Sequence, residues 1–250
     1  MIEKIEAHSF LSTPASHEEM YDGWLLRRAG GRTKRFNSVN FPSASRGGIP
    51  IEEKLDYCEQ FYAAANMPSR FRVTPLASPS NLQNLLLDRG YQRVDPTDVC
   101  SRTLSDLPNS PAENVVISDQ MSEEWADKLC DLTDRDNDQR EAFVQMKARL
   151  EIDHLFASIV QNNRIISVGF ATVHGGIMGL FEFATDPEFR RQGHARLIVD
   201  GLLSHAKSQG ATAAYLQVVQ NNTAGLQFWK SMGFAKTEYE YSYLCKDVIS

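Results

Sequence analysis

Six consecutive residues, Arg190-Arg191-Gln192-Gly193-His194-Ala195, stand between an apolar, strand-like segment ending in Phe181-Glu182-Phe183-Ala184-Thr185 and the amphipathic run that opens with Arg196-Leu197-Ile198-Val199. A helix start leaves its first backbone N–H groups without intrahelical partners and carries the positive end of the helix dipole, so an anion placed there collects several donors at once. Gly193 lets the backbone approach a bulky group, Ala195 keeps the next wall low, and Arg190 and Arg191 add cationic charge. Gln192 and His194 complete the turn. The residue types at this spacing describe a phosphate cradle.

The order strand, R-x-x-G-x-A, apolar helix resembles the acyl-CoA pyrophosphate loop of the GCN5-related N-acetyltransferases, with Arg190, Gly193 and Ala195 at the motif positions. A second stretch, Asn222-Thr223-Ala224-Gly225-Leu226-Gln227-Phe228-Trp229-Lys230-Ser231-Met232-Gly233-Phe234, resembles that family's N-x-x-A-x-x-(L/F)-(Y/W)-x-x-x-G-F segment at the expected distance, with Gly225 one departure. The resemblance implies an α/β fold with a mixed, mostly antiparallel sheet flanked by helices. It implies acetyl-CoA as co-substrate, held along Phe183, Ala184 and Thr185 and at Arg190, Arg191, Gln192, Gly193, His194 and Ala195, with Asn222 and Phe228 beside the cofactor arm. Helix capping is the competing role for Asn222. The activity implied is acetyl transfer to a primary amine of a small molecule, amino acid or protein. The alternative is a CoA-binding sensor or scaffold with little turnover.

Aminolysis of a thioester needs a neutral amine, a polarised carbonyl, a route for the amine's proton and a proton for the departing thiolate. Glu182 is the carboxylate nearest the reactive strand and is the candidate base; the competing reading is a carboxylate neutralised by a neighbouring arginine. Many relatives place a tyrosine where this chain has Trp229, which has no proton to give and is expected to pack. Either water protonates the thiolate or another residue does, with Tyr241 and Tyr243 of the last strand as distant candidates and Tyr243 the one chosen, or the protein does little catalysis. His194 is read as lying over the phosphates or in solvent, not as catalytic.

Patterning places the elements that must position these groups. After a polar, two-proline stretch, Leu104 to Glu113, a strand at Val115-Val116-Ile117 precedes a helix capped by Ser122, then a helix over Gln139 to Leu150. Leu155 to Val160 and Ile165 to Val173 read as a hairpin, Met178 to Ala184 as a strand, Ala195 to Gln209 as a helix stopped by Gly210. A strand at Ala213 to Val219, a helix at Thr223 to Met232 and a strand near Glu238 to Cys245 finish the order.

The first half carries a faint copy: a helix at Ile51 to Ala65, a strand at Arg70 to Thr74, a helix at Asn81 to Asp88 and an exit through Arg89 to Val94. In it, Leu85-Leu86-Leu87-Asp88-Arg89-Gly90-Tyr91 answers Phe228 to Phe234. Where a phosphate turn would stand, Ser43 to Pro50 has no R-x-x-G-x-A. The chain thus resembles tandem acetyltransferases with a degenerate N-terminal domain, here residues 1–110, before an acetyl-CoA-binding domain, 111–250. Trp24 with Arg27-Arg28 reads as a strand with one buried face, and the basic run from Arg27 to Arg35 as an exposed hairpin.

With 250 residues, two units of ordinary size fit. No apolar run approaches the ~20 residues of a membrane helix, and no basic-then-apolar leader opens the chain, so a cytoplasmic protein without a membrane partner is expected. Four unclustered cysteines indicate neither zinc nor disulfides, so no metal is expected. A net charge of −6 argues against nucleic acid as a partner, and a monomer or homodimer is expected. All of that charge falls after Ser110; this acidity suggests attraction of a cationic amine.

Overall fold

The computed structural model describes residues 1–29, 33–44, 47–107 and 114–247. The first half runs α1 (Ile2–Ser12), β1 (His17–Tyr21), β2 (Trp24–Arg28), β3 (Val39–Asn40), α2 (Ile51–Ala63), β4 (Ser69–Val73), α3 (Leu82–Asp88) and β5 (Gln92–Thr103). The second runs β6 (Val116–Ser118), α4 (Glu123–Leu132), α5 (Asn137–Lys147), β7 (Asp153–Gln161), β8 (Arg164–His174), β9 (Ile177–Thr185), α6 (His194–Ser208), β10 (Ala213–Val219), α7 (Thr223–Ser231) and β11 (Lys236–Lys246). Most expected elements stand within two or three residues of where patterning put them. Local chemistry fixes their ends: Ser122 Oγ accepts from Trp125 N at 3.1 Å, Asp136 and Gln139 form a capping box on α5, and Gly210 takes a left-handed φ of +84° after α6. Of the Leu104–Glu113 linker, residues 108–113 lie outside the described residues, as do Ser45 and Arg46 of the Ser43–Pro50 segment and Arg32 of the basic run.

The described strands form one mixed sheet ordered β1-β2-β3-β4-β11-β5-β10-β9-β8-β7-β6. Its centre is an exchange. β5, which follows the first-half helix α3, lies antiparallel to β10 of the second half, Thr97 to Thr103 against Val219 to Ala213. β11, which follows the second-half helix α7, lies antiparallel to β4 of the first half, Ser242 to Lys246 against Val73 to Ser69. The two exchanged strands pair with each other. β4-α3-β5 and β10-α7-β11 thus share their element order and exchange their last strands, and a boundary at residue 110 divides the chain and not the sheet. β5 also extends well past the expected exit at Val94. It passes Pro96 by a bulge, with Asp95 at φ +49° and a register shift against β11, which is how a central strand accommodates a proline.

Each half has its own apolar core. A third cluster spans the seam, joining Ile5 of α1 to Val99, Ile177, Tyr215, Tyr239, Tyr241 and Tyr243. Patterning gave no sign of α1, because the face it buries is largely polar: Glu6, His8, Ser9 and Ser12. Each of these is bonded. Glu6 accepts both guanidinium nitrogens of Arg72, one at 2.9 Å, and the Tyr239 hydroxyl; His8 Nδ1 lies 2.9 Å from the Tyr215 hydroxyl; Ser12 Oγ lies 2.7 Å from Thr172 Oγ1. The strand at Trp24 is corrected likewise. Trp24, Leu25, Leu26 and Arg27 are all buried, so both faces of β2 are covered, and Arg27 is no exposed cation: it is 0 % exposed, ion-paired to Glu18 at 2.7 Å.

Glu6→Gln leaves Arg72 buried without a countercharge and should destabilise the protein by about 3–5 kcal/mol, whereas replacing both residues with apolar ones of similar volume should recover much of that loss. Urea denaturation of the single and double variants checks it.

Candidate active site

β9 and β10 run parallel and pair from Ile177↔Ala213 to Leu180↔Leu216, and no further, although β9 continues to Thr185 and β10 to Val219. The parting coincides with a bulge. Against β8, the register jumps between Val168↔Ala184 and Phe170↔Phe181, so Glu182 and Phe183 together oppose Gly169, and Glu182 takes φ +55°. Gly169 makes room for this: a Cβ there would come within 2.7 Å of both Ile198 Cγ2 on α6 and the Phe183 ring. The edge of Phe181–Thr185 that faces β10 is left without a strand partner, and an extended ligand bearing amides can pair with it.

The expected phosphate turn lies at the end of that edge. Asp186 closes a single 3₁₀ turn by accepting from Glu188 N at 3.2 Å, and hydrogen bonding to Lys128 Nζ, then to Glu188 N and Arg164, holds its carboxyl well below the usual range. Arg190 Nε donates to Thr185 O at 3.0 Å, and Gln192 Nε2 to Glu188 O at 3.2 Å, so these two side chains brace the loop. Gly193 precedes α6 at φ +86°, and a Cβ on it would meet nothing within 4 Å. No side chain caps the first turn of α6, and both ring nitrogens of His194 are buried without a protein partner. Open space, uncapped N–H groups and an unsatisfied imidazole suit a phosphate.

α7 borders the cleft. Asn222 is its cap, with Oδ1 accepting from Gly225 N at 2.9 Å. Gly225 departs from the family's alanine for a visible reason, since a Cβ would stand 2.6 Å from Asn222 Nδ2. Trp229 packs as expected, edge-on to Phe183 at 5.1 Å and to Phe234 at 5.6 Å, with the Phe228 ring 4.9 Å away.

On the other side of the bulge, two adjoining cavities of about 380 and 330 Å³ share Thr33, Phe36, Arg135, Met146 and Glu182. Both halves wall them: the Lys34–Phe36 turn, Asp95 and Thr97 from the first, and Phe143, Lys147, Tyr241 and Tyr243 from the second. Glu182 and Tyr243, distant in sequence, line the same space. Glu182 Oε2 accepts from Arg135 Nη2 at 2.6 Å, so the arginine-neutralised alternative is the observed pairing. Burial pushes the Tyr243 phenol up; Tyr241, equally buried, is drawn below its ordinary value because the charges of Arg35 and Arg72 outweigh the burial. Arg72 stacks on the Tyr241 ring at 3.9 Å.

Patterning placed Arg35 on an exposed hairpin and gave no sign of Lys147. Lys147, only 5 % exposed, ends α5 with its ammonium 3.2 Å from the Phe170 ring centroid. Burial pulls it down to about 7, against the opposing pull of Glu182. Arg135 lies in Thr133 to Asn137, the variable loop before α5 in which the sequence suggests part of the acceptor pocket, and it does line the cavity.

A family model described as "Probable histone acetyltransferase Rv0428c C-terminal" matches residues 1–244. The chain belongs to that family. The uncharacterized N-acetyltransferase YobR of Bacillus subtilis is 27% identical over 247 residues, 96% of this chain and 97% of that protein. Among solved structures, a GCN5-related N-acetyltransferase from Kribbella flavida superposes with a TM-score of 0.68 at 15% identity, over 100% of this chain and 95% of the other. A tandem protein of the same superfamily from the clavulanic acid biosynthesis pathway gives 0.59 at 10% identity, over 80% and 70%. The chain is thus an acyltransferase of the GCN5-related N-acetyltransferase type, and the expected fold class holds. Among the described residues no cluster of side chains could hold a metal ion, and no helix is long and apolar enough to cross a membrane.

In this acetyltransferase, Gly193→Asp should abolish acetyl-CoA binding measured by calorimetry while costing only about 1–2 kcal/mol of stability, because a Cβ there has open space around it and the main strain is in the left-handed backbone. Lys147→Met should raise stability at neutral pH. The folded lysine loses its proton near 7 and the unfolded one near 10.4, so the burial penalty is complete below pH 7 and fades between the two values. Thermal melts of both proteins from pH 6 to 10 should therefore converge as pH rises.

Proposed function

We propose that the protein is an acetyl-CoA-dependent N-acetyltransferase that passes the acetyl group directly to a primary amine entering through the cavity between its halves. The observation that carries this reading is the parted edge at Phe183–Thr185, which runs between the Gly193 turn at one end and Glu182 at the other. The backbone of Phe183, Ala184 and Thr185 would hold the pantetheine amides. The turn from Arg190 to Ala195 would hold the phosphates, with Arg191 free to swing onto them, His194 offering its unsatisfied nitrogens, and Gln192 bracing the loop. Phe228 and Trp229 would wall the thioester end, and Asn222 would shape it by fixing the start of α7.

In the transfer, the amine nitrogen bonds to the thioester carbonyl carbon, the C–S bond breaks, one proton leaves the nitrogen and one reaches the thiolate. Glu182 receives the amine's proton, directly or through water. Its ion pair with Arg135, at 2.6 Å, holds the carboxylate at the cavity wall. Tyr243, a protonated phenol in the same cavity, supplies the thiolate proton in place of the family's usual tyrosine. A protein amine and a small-molecule amine both fit this chemistry.

Acetyl-CoA consumption across a panel of amines tests the reading directly. Glu182→Gln should leave acetyl-CoA affinity nearly unchanged and lower kcat/KM by about 10²–10⁴-fold, the usual contribution of a positioned base. Tyr243→Phe should lower kcat with little change in KM. Wild-type rates in both variants would place the proton path elsewhere.

A further inference from the structure

Four cationic side chains line the cavity beside Glu182: Lys34, Arg35, Arg135 and Lys147. Two have carboxylates, Lys34 pairing with Asp95 at 2.5 Å and Arg135 with Glu182 at 2.6 Å. Arg72, behind Tyr241, is matched by Glu6. Among the described residues no carboxylate pairs with Arg35 or Lys147. Arg35 hydrogen-bonds the Tyr241 hydroxyl, but its Nε is buried with no partner, and its guanidinium lies 6.0 Å from the Phe181 ring centroid, next to the bulge. Lys147 meets only the faces of Phe170 and Phe143. Buried cations are ordinarily paired, and leaving one unpaired is costly. Both carboxylates on this wall already have partners, so the charge of Arg35, joined by Lys147 when it is protonated, is complementary to something brought in. The cavity, a few hundred Å³ between two rigid halves, suits a small molecule better than a polypeptide segment.

We propose that the acceptor is a small amine carrying an anionic group, a carboxylate or a phosphate ester, which Arg35 binds with Lys147 beside it while the amine lies toward Glu182. This rests on the acetyl-transfer reading for the site and goes beyond it in naming the acceptor's chemistry. A planar guanidinium matches either oxyanion with two parallel N–H donors. The same charges disfavour a lysine-rich peptide, which would bring further cations to a wall whose arginine already lacks a carboxylate.

The test separates binding from turnover. Calorimetry with the full chain uses three product-like probes: N-acetyl-β-alanine, N-acetyl-2-aminoethyl phosphate and the uncharged N-acetylethanolamine. At least one anionic probe should bind about 10- to 100-fold more tightly than the uncharged one, and Arg35→Gln should remove that difference. Arg35→Lys, which keeps the charge and loses the fork, should retain part of it and serves if the glutamine variant does not fold. The matched amines, assayed for acetyl-CoA consumption, should show Arg35→Gln acting on KM more than on kcat. Equal binding of charged and uncharged probes, no binding of either anionic probe, or indifference to Arg35→Gln overturns the anion site, even if uncharged amines are acetylated. Selective anionic binding without acetylation of any amine supports the site and sinks the transfer reading.

Discussion

Pairing between β5 and β11 is the constraint on which the rest of this structure depends. Each strand closes one half of the chain yet is inserted against the other half, so the backbone hydrogen bonds at the centre of the sheet cannot be satisfied by either half alone. The seam buries a row of tyrosines on β10 and β11, and α1 covers it with polar side chains that answer those hydroxyls and Arg72. An apolar helix would bury more hydrophobic surface there. It would also leave a guanidinium and several phenols without partners, which costs more than the missing apolar contact supplies.

The functional geometry follows from that continuity. Because the first half is locked to the second, its Lys34–Phe36 turn stands opposite the bulge at Glu182 and completes a cavity that the second half only begins. The bulge has two effects. It turns Glu182 toward this cavity and parts β9 from β10, exposing backbone groups on the opposite side of the strand. The parted edge and the cavity are thus two faces of one local irregularity, and Gly169 permits it by letting α6 and Phe183 close over the space a side chain would need.

Charge illustrates how little a global sum says about a site. The net −6 lies after Ser110 and suggested attraction of a cationic amine. The cavity wall has the opposite sign, with two cations lacking carboxylates, because Arg35 arrives from the charge-balanced half and Lys147 from the buried end of an amphipathic helix. Over the ~8–10 Å that salt leaves unscreened, the few charges lining a cavity outweigh many solvated ones on the surface.

Periodicity alone determined the helices and strands of the second half, and turn chemistry alone determined where several of them end, as at Ser122, Gly193 and Gly210. These depend on side-chain spacing and local backbone preference, both written in neighbouring residues. The R-x-x-G-x-A turn was legible for the same reason: all of its parts are within six residues. α1 was not, since its buried face is polar and only distant partners make that tolerable. Nor was the bulge at Asp95 and Pro96, by which β5 continues along β11. The exchange, the cavity and the meeting of Glu182, Arg35, Lys147 and Tyr243 were decided by tertiary structure, because they rest on contacts between residues far apart in the chain, for which linear spacing holds no signal.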